Sequence, residues 1–319
     1  MLERLSSAKR LLKRLRRGPQ RGAAAIPPAP RARPTAAAQP VVTPPAGARN
    51  LVVVVLDSLR FDAWTEVQPP HLAQLGPVER RWSYASWTAP SHYNLLMGLL
   101  PHTSPHHVYA SEHYKEDFRR YEERLNVDGI DFSSLLPSLF LPTFLRRSLG
   151  YRTGGLVSMP VLNETTVINR DFDTYSLMPN HFDFAGIIDR LTFDEDRPSF
   201  WMLNIGETHY PYVVPGTDLS RWPRISGVHG VVKRLDDAPV PEPGFFTASE
   251  MVELRDAQRS ALAYVDGLMA QLFDRMPDDT WVVVTADHGE LFGEDDMFGH
   301  GPIQHPKVYE VPFVEGLVP

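Results

Sequence analysis

Leu51-Val52-Val53-Val54-Val55-Leu56-Asp57 is an unbroken aliphatic run closed by a carboxylate. Alternating polarity would mark a strand with one wet face, whereas a continuous apolar run marks a strand covered on both faces, as in parallel sheets. Two later stretches repeat the pattern. Phe200–Ile205 (FWMLNI) leads into Gly206-Glu207-Thr208-His209, and Trp281–Thr285 (WVVVT) leads into Ala286-Asp287-His288. Helical spacing lies between them. Ala248–Met276 carries a stripe of Met251, Leu254, Ala261, Leu262, Val265, Leu268, Met269 and Leu272, and Ser134–Leu149 is a second helix that Pro137 and Pro142 break or kink. Strands alternating with helices predict an α/β fold over residues 50–319, with a mainly parallel central sheet sandwiched by helices. Segments 101–130 and 206–247 are long, polar and proline-rich, and read as loops that wall a binding site.

Before residue 50 the chain has a different character. Residues 1–50 hold eleven of the 32 basic side chains but one of the 39 acidic ones, so the rest carries 21 against 38, a balance of −17. The overall net charge of −7 averages two unlike pieces, and an acidic body argues against nucleic acid as partner. Residues 1–18 place Leu2, Leu5, Ala8, Leu12 and Leu15 at helical spacing among Lys and Arg. Such a segment is either a solvated tail or a peripheral anchor on an anionic membrane. Residues 19–49 are Pro/Ala-rich and read as a disordered linker. No uninterrupted apolar run follows the basic start, which predicts neither a secretory signal nor a membrane span and points to the cytoplasm. The chain has no cysteine, which removes disulfides, thiolate metal sites and Cys nucleophiles.

Ligands of open α/β sheets bind at the carboxyl ends of the strands. Here three apolar strands end in Asp57, His209 and Asp287-His288, and the two Asp with the adjacent His288 offer carboxylate and imidazole ligands to one divalent cation. Ser86–Gly98 (SWTAPSHYNLLMG) reads as a short helix in which Thr88 is either the N-cap or a nucleophile at a helix N-terminus. A threonine hydroxyl needs a metal or a base to lower its pKa, and a cation at Asp57, Asp287 and His288 would do so.

Four blocks in order carry a family resemblance: NLVVVVLDSLRFD at residues 50–62, SWTAPSHYNLLMGLLPHTSPHH at 86–107, NIGETHYPY at 204–212, and TADHGELFGEDDMFGHG at 285–301. Over residues 50–319 the chain resembles the sulfatase-like members of the alkaline phosphatase superfamily. The resemblance implies that Asp57, Asp287 and His288 bind one divalent metal ion (Mn, Zn, Mg or Ca). It makes Thr88 both ligand and nucleophile, and has His209 and His300 contact the anionic group or protonate the leaving group. Displacement at phosphorus or sulfur would leave a covalent ester on Thr88, which water or a second alcohol then attacks.

The departures set the expected subclass. The formylglycine sulfatases convert a Cys or Ser in C/S-x-P-x-R. Here Thr88 holds that position and His92 replaces the Arg, so the usual sulfatase route is not expected. Sulfatases also carry a second Asp directly after the first, where this chain has Ser58, and two-zinc relatives need an Asp–His pair four residues apart where this chain has Glu207 and His209. One metal and a phosphate ester of phosphodiester or phosphonate type are therefore expected, on a small molecule or on a lipid or polymer. The alternatives are sulfate-ester hydrolysis without formylglycine and a catalytically silent anion-binding protein. Arg60 and Asp62 read as a local pair, Glu294-Asp295-Asp296 as an exposed acidic loop, and His102, His106 and His107 as a polar loop or the mouth of the site.

Overall fold

The computed structural model describes residues 42–104, 110–135, 138, 140–222 and 246–319. The chain divides into two units, Met1–Pro40 and Val41–Pro319, and all that follows concerns the second. The expected basic segment 1–18 with its membrane contact, most of the linker 19–49, and His106 and His107 lie outside the described residues.

The sheet has seven strands: β1 Leu51–Leu56, β2 Glu79–Trp82, β3 Arg152–Val157, β4 Thr174–Leu177, β5 Ser199–Ile205, β6 Trp281–Ala286 and, last in the chain, Glu310–Leu317. A separate two-stranded ribbon, β7 Leu291–Phe292 with β8 Phe298–Gly299, precedes that last strand, which is β9. The sheet order is β2-β9-β6-β1-β5-β3-β4. β1 runs parallel to both β5 and β6, while β9 runs antiparallel to β6 and to β2. The mainly parallel α/β sheet is as the sequence predicts.

β1 lies between β5 and β6 and is buried throughout, which accounts for its unbroken apolar run. Its side chains divide between two cores. Val52, Val54 and Leu56 join Leu262, Val265, Met269 and Leu272, whereas Leu51, Val53 and Val55 join Leu96, Phe118, Tyr121 and Leu145. Each such burial contributes about 1.5–3 kcal/mol relative to exposure. The register pairs Leu56 with Ile205 on one side and with Ala286 on the other. The residues that follow, Asp57, Gly206 and Asp287, therefore leave the sheet in one row.

The helices are α1 Phe61–Val67, α2 Thr88–Leu96, α3 Ala110–Leu125, α4 Phe132–Leu135, α5 Leu141–Ser148, α6 Phe184–Arg190, α7 Ala248–Phe273 and α8 Pro306–Tyr309. α7 starts with a capping box, since the Glu250 amide donates to Thr247 Oγ1 at 3.3 Å and the Thr247 amide donates to Glu250 Oε2 at 2.7 Å. It ends at Phe273, three residues earlier than the apolar stripe suggests. The expected helix over 134–149 is two short ones, with Pro142 in the first turn of α5, where a missing N–H is harmless.

Segment 101–130 departs most from expectation, because α3 runs through it. Its charge density hides Phe118, Tyr121 and Leu125, which are buried at one-turn spacing. Arg124 on the same helix is also buried and grips Glu315 of β9, Nε to Oε2 at 2.6 Å and Nη2 to Oε1 at 3.1 Å. Burial raises the Glu315 carboxyl, but the Arg124 charge outweighs it and holds the group below its ordinary value. Arg120 Nη2 also lies 2.5 Å from Glu315 Oε1, but it is partly exposed, so losing Arg124 strips the carboxylate of its buried cationic partner. Arg124→Met is expected to lower the unfolding free energy by about 3 kcal/mol, read as a lower urea midpoint at constant slope. The double variant Arg124→Met/Glu315→Leu should recover most of that loss. A single variant as stable as the wild type would remove the pair from the account of how α3 is anchored.

Candidate active site at the sheet's carboxyl edge

The turn after β1 begins with Asp57 and with Ser58 in the left-handed region at φ 61°. That geometry aims the Ser58 amide at Asp287 Oδ1, 3.0 Å away, and its hydroxyl at Asp57 Oδ1, 3.2 Å away. Ser58 thus braces both carboxylates where the resemblance would lead one to expect a further acid. Asp57, Asp287 and His288 are all buried, and each offers a ligand atom within 4.8 Å of the others. These three side chains could hold a metal ion.

Three features fit a cation. Asp287 Oδ1 accepts from the amides of Ser58 and His288, at 3.0 and 2.9 Å, whereas Asp287 Oδ2 is buried with no hydrogen-bond partner among the described residues. His288 Nδ1 lies 2.9 Å from the Gly289 carbonyl, which assigns the proton to Nδ1 and the lone pair to Nε2, the tautomer a metal-ligating histidine needs. The donor set of two carboxylates and one imidazole suits Mn or Zn and admits Mg or Ca less readily.

The electrostatics agree. Burial, then the like charge of Asp287, pushes the Asp57 carboxyl up, and burial pushes Asp287 up to about 7. Burial likewise pulls His288 down to about 4, so its imidazole is neutral.

Thr88 opens α2 directly after the extended residue Trp87, and its Oγ1 lies 3.4 Å from His288 Nε2. Trp87 holds the N-cap position, so of the two readings of Thr88 the cap is not realised. Its hydroxyl, only 4% exposed with the rest of the residue, faces the Asp/Asp/His cluster.

His209 and His300 reach the same place. The His300 ring lies 4.1 Å from that of His288 and 5.5 Å from that of His209, centroid to centroid. His209 Nδ1 is 2.8 Å from the Tyr210 carbonyl, which directs proton exchange to Nε2. All six residues singled out from sequence, Asp57, Thr88, His209, Asp287, His288 and His300, converge at one end of β1, β5 and β6.

Around these six stand residues whose roles a sequence reading does not give. His92 is completely buried, with Nδ1 2.8 Å from the Thr88 carbonyl and Nε2 3.3 Å from Asn204 Nδ2. Burial holds its pKa below the ordinary value, and it works as a neutral strut under the helix that carries Thr88. Asn204 donates to Asp57 Oδ2 at 2.9 Å while its Oδ1 accepts from the amides of Ser158 and Met159. The signal was present, since Asn204 is the one polar residue of FWMLNI. Glu290 is fully buried, accepts from Tyr212 Oη at 2.5 Å, and sits with Oε2 3.7 Å from His300 Nδ1. Burial pushes its carboxyl up to about 8. Glu207 is buried as well, accepts from the Phe184 amide at 2.8 Å, and is pushed up to about 7 by burial.

The remaining motifs are scaffolding. Arg60 pairs with Asp62, as expected, and reaches Glu294 Oε1 at 2.7 Å, which takes that acid out of the exposed loop. Burial raises Asp62, but the hydrogen bond from Arg60 outweighs it and holds the carboxyl well below its usual range. His305 Nδ1 accepts from the Lys307 amide and caps α8, and the His102 backbone bridges to Trp82.

The sulfatase family model matches residues 49–314. Among solved structures, the C-terminal periplasmic domain of EptC from Escherichia coli, in complex with Zn, aligns with a TM-score of 0.52 at 15% identity, covering 85% of this chain and 73% of that one. The integral membrane protein lipooligosaccharide phosphoethanolamine transferase A from Neisseria meningitidis aligns with a TM-score of 0.50 at 18% identity, covering 87% of this chain and 49% of that one. A 2-O GAG sulfatase aligns with a TM-score of 0.50 at 14% identity, covering 84% and 64%. A search of curated proteins gives no match. The cytoplasmic placement expected from sequence is corrected by these likenesses, because the Escherichia coli domain is periplasmic and a missing apolar run does not decide the compartment. Among the described residues no helix is long and apolar enough to cross a membrane. With a family match over residues 49–314 and a fold shared with both transferases and sulfatases, the chain belongs to the sulfatase family, within the alkaline phosphatase superfamily.

Proposed function

We propose that this chain is a metal-dependent hydrolase or transferase of phosphate esters that works through a covalent ester on Thr88. The observation that carries the reading is the Thr88 hydroxyl at the start of α2, 3.4 Å from His288 Nε2 and facing the Asp57/Asp287/His288 cluster. Asp57, Asp287 and His288, with Thr88, would hold one divalent cation. Such a cation, when bound, polarises the ester oxygens and lowers the pKa of the threonine hydroxyl.

The residues of the chain supply the rest. The Thr88 hydroxyl gives its proton to solvent, and its Oγ1 forms a bond to phosphorus as the bond to the leaving oxygen breaks. His209 or His300 gives that oxygen a proton. Water or an acceptor alcohol then attacks phosphorus and loses its proton to the same imidazole, and the Thr88 oxygen departs and takes a proton back from solvent. The first N–H groups of α2 stabilise the charge that develops on the ester. Solved proteins of this fold include a lipooligosaccharide phosphoethanolamine transferase and a GAG sulfatase, which supports an anionic ester borne on a lipid or polymer.

A panel with added Mn²⁺ or Zn²⁺ tests the reading. Aryl phosphodiester or phosphonate turnover is expected to exceed aryl sulfate turnover by at least tenfold. The reverse order would move the assignment to sulfate esters, and turnover of none of them would leave an anion-binding protein.

A further inference from the structure

The long helix α7 brings one amide to the point where the three site-bearing turns meet. Gln258 is fully buried, and its Nε2 lies 2.9 Å from the Ser58 carbonyl, 3.3 Å from the Thr208 carbonyl and 3.2 Å from Glu290 Oε1. Ser58 follows Asp57, Thr208 precedes His209, and Glu290 stands two residues after His288. The two carbonyls can only accept, so the –NH₂ end of the side chain must face them. Two N–H bonds are shared among three acceptors, one from each turn.

The core does not call for an amide here. Gln258 interrupts the apolar face of α7 between Leu254 and Ala261, both fully buried, and its Oε1 has no hydrogen-bond partner among the described residues. An aliphatic side chain of similar volume would pack there without stranding an acceptor.

Each turn in turn touches the site. The Ser58 amide and hydroxyl hold Asp287 and Asp57 at 3.0 and 3.2 Å. The Thr208 hydroxyl donates to the Asp57 carbonyl at 2.7 Å. Glu290 faces His300 at 3.7 Å.

We propose that Gln258 is a positioning residue that ties the turns after β1, β5 and β6 into one rigid unit and sets the spacing of Asp57, His209, Asp287 and His288. The proposal rests on the reading of those residues as the active site. Outer-shell groups that orient ligands change metal affinity or activity by about 10–100-fold when lost.

The test uses the full-length protein and two readouts: calorimetric titration with Mn²⁺ alone, and steady-state kinetics on an aryl phosphodiester. Gln258→Leu is expected to weaken Mn²⁺ binding by about 10–100-fold and to lower kcat by a similar factor, with KM nearly unchanged. Gln258→Glu keeps the volume but offers at most one O–H donor, when protonated, in place of two N–H donors, and should also be impaired. Met269→Ala, a cavity variant in the core of the same helix, serves as the stability control and should leave both readouts within twofold. Gln258→Leu behaving as wild type, or losing no more than Met269→Ala loses, overturns the proposal. A wild-type protein that binds Mn²⁺ but cleaves no ester refutes the proposed reaction while the affinity comparison still decides on Gln258. One that binds no Mn²⁺ overturns both.

Discussion

Thr88→Ala is expected to lower kcat on an aryl phosphodiester by about 10⁴-fold, close to 5.5 kcal/mol of transition-state stabilisation. The substitution removes the atom that would carry the covalent ester. It should leave the fold alone, because the hydroxyl's one hydrogen bond among the described residues is the 3.4 Å contact with His288, while the His92 strut under α2 reaches the Thr88 main chain. Thr88→Ser keeps an oxygen in place and should retain measurable turnover. Acid quenching of the wild type with a phosphorus-labelled substrate should trap label on the peptide containing Thr88, and the Ala variant should trap none. Turnover by Thr88→Ala within tenfold of wild type, with no trapped label, would refute the nucleophile assignment.

Asp287→Asn carries the second large effect, and here two measurements should move in opposite directions. Asn retains an oxygen for the amides of Ser58 and His288, so local hydrogen bonding survives. The charge that would face a cation disappears, and Mn²⁺ affinity and kcat should each fall by more than 100-fold, above the range set by outer-shell losses. In the metal-free protein the same change should stabilise. Asp287 titrates at about 7 in the fold against an ordinary 3.8, so between these values the native state binds more protons than the unfolded chain. Stability of the metal-free wild type must then fall as pH rises from about 4 to about 7. Asp287→Asn should flatten that slope and melt higher at pH 8, and added Mn²⁺ should restore the wild type alone. A metal-free variant that melts lower than wild type at pH 8 would contradict the burial of two like charges.

Thr88 was read from a helix start and His300 from the family resemblance alone. The α/β class and the other four candidate residues, Asp57, His209, Asp287 and His288, were legible because parallel strands announce themselves twice. Their burial forces continuous apolar runs, and their carboxyl ends must present whatever chemistry follows. Leu51–Leu56 and Trp281–Ala286 show both signs. The supporting groups were not legible in the same way. Asn204, Glu290 and Gln258 matter through partners remote in sequence, such as Ser58, 200 positions before Gln258, and His92 meets Asn204 112 positions on as well as Thr88 one turn back. No local pattern encodes that pairing. α3 was missed for a different reason: a charged helix that buries only a narrow apolar stripe and pairs Arg120 and Arg124 with Glu315 of β9 looks, residue by residue, like a solvated loop. The cytoplasmic placement failed because it was drawn from a missing signal.

The register that sets Leu56 beside Ile205 and Ala286 also has a consequence in time. Asp57 and His288 are separated by 230 intervening residues, and neither gains its neighbour until β6 has docked against β1. During synthesis, a nascent chain that has emerged only as far as α7 already presents Asp57, Thr88 and His209 yet encloses no complete ligand set. On the proposed reading, capture of a cation would be the closing event of assembly, deferred by the slow long-range pairing that parallel topology requires. A half-made chain would then expose the Thr88 hydroxyl without the cation proposed to activate it.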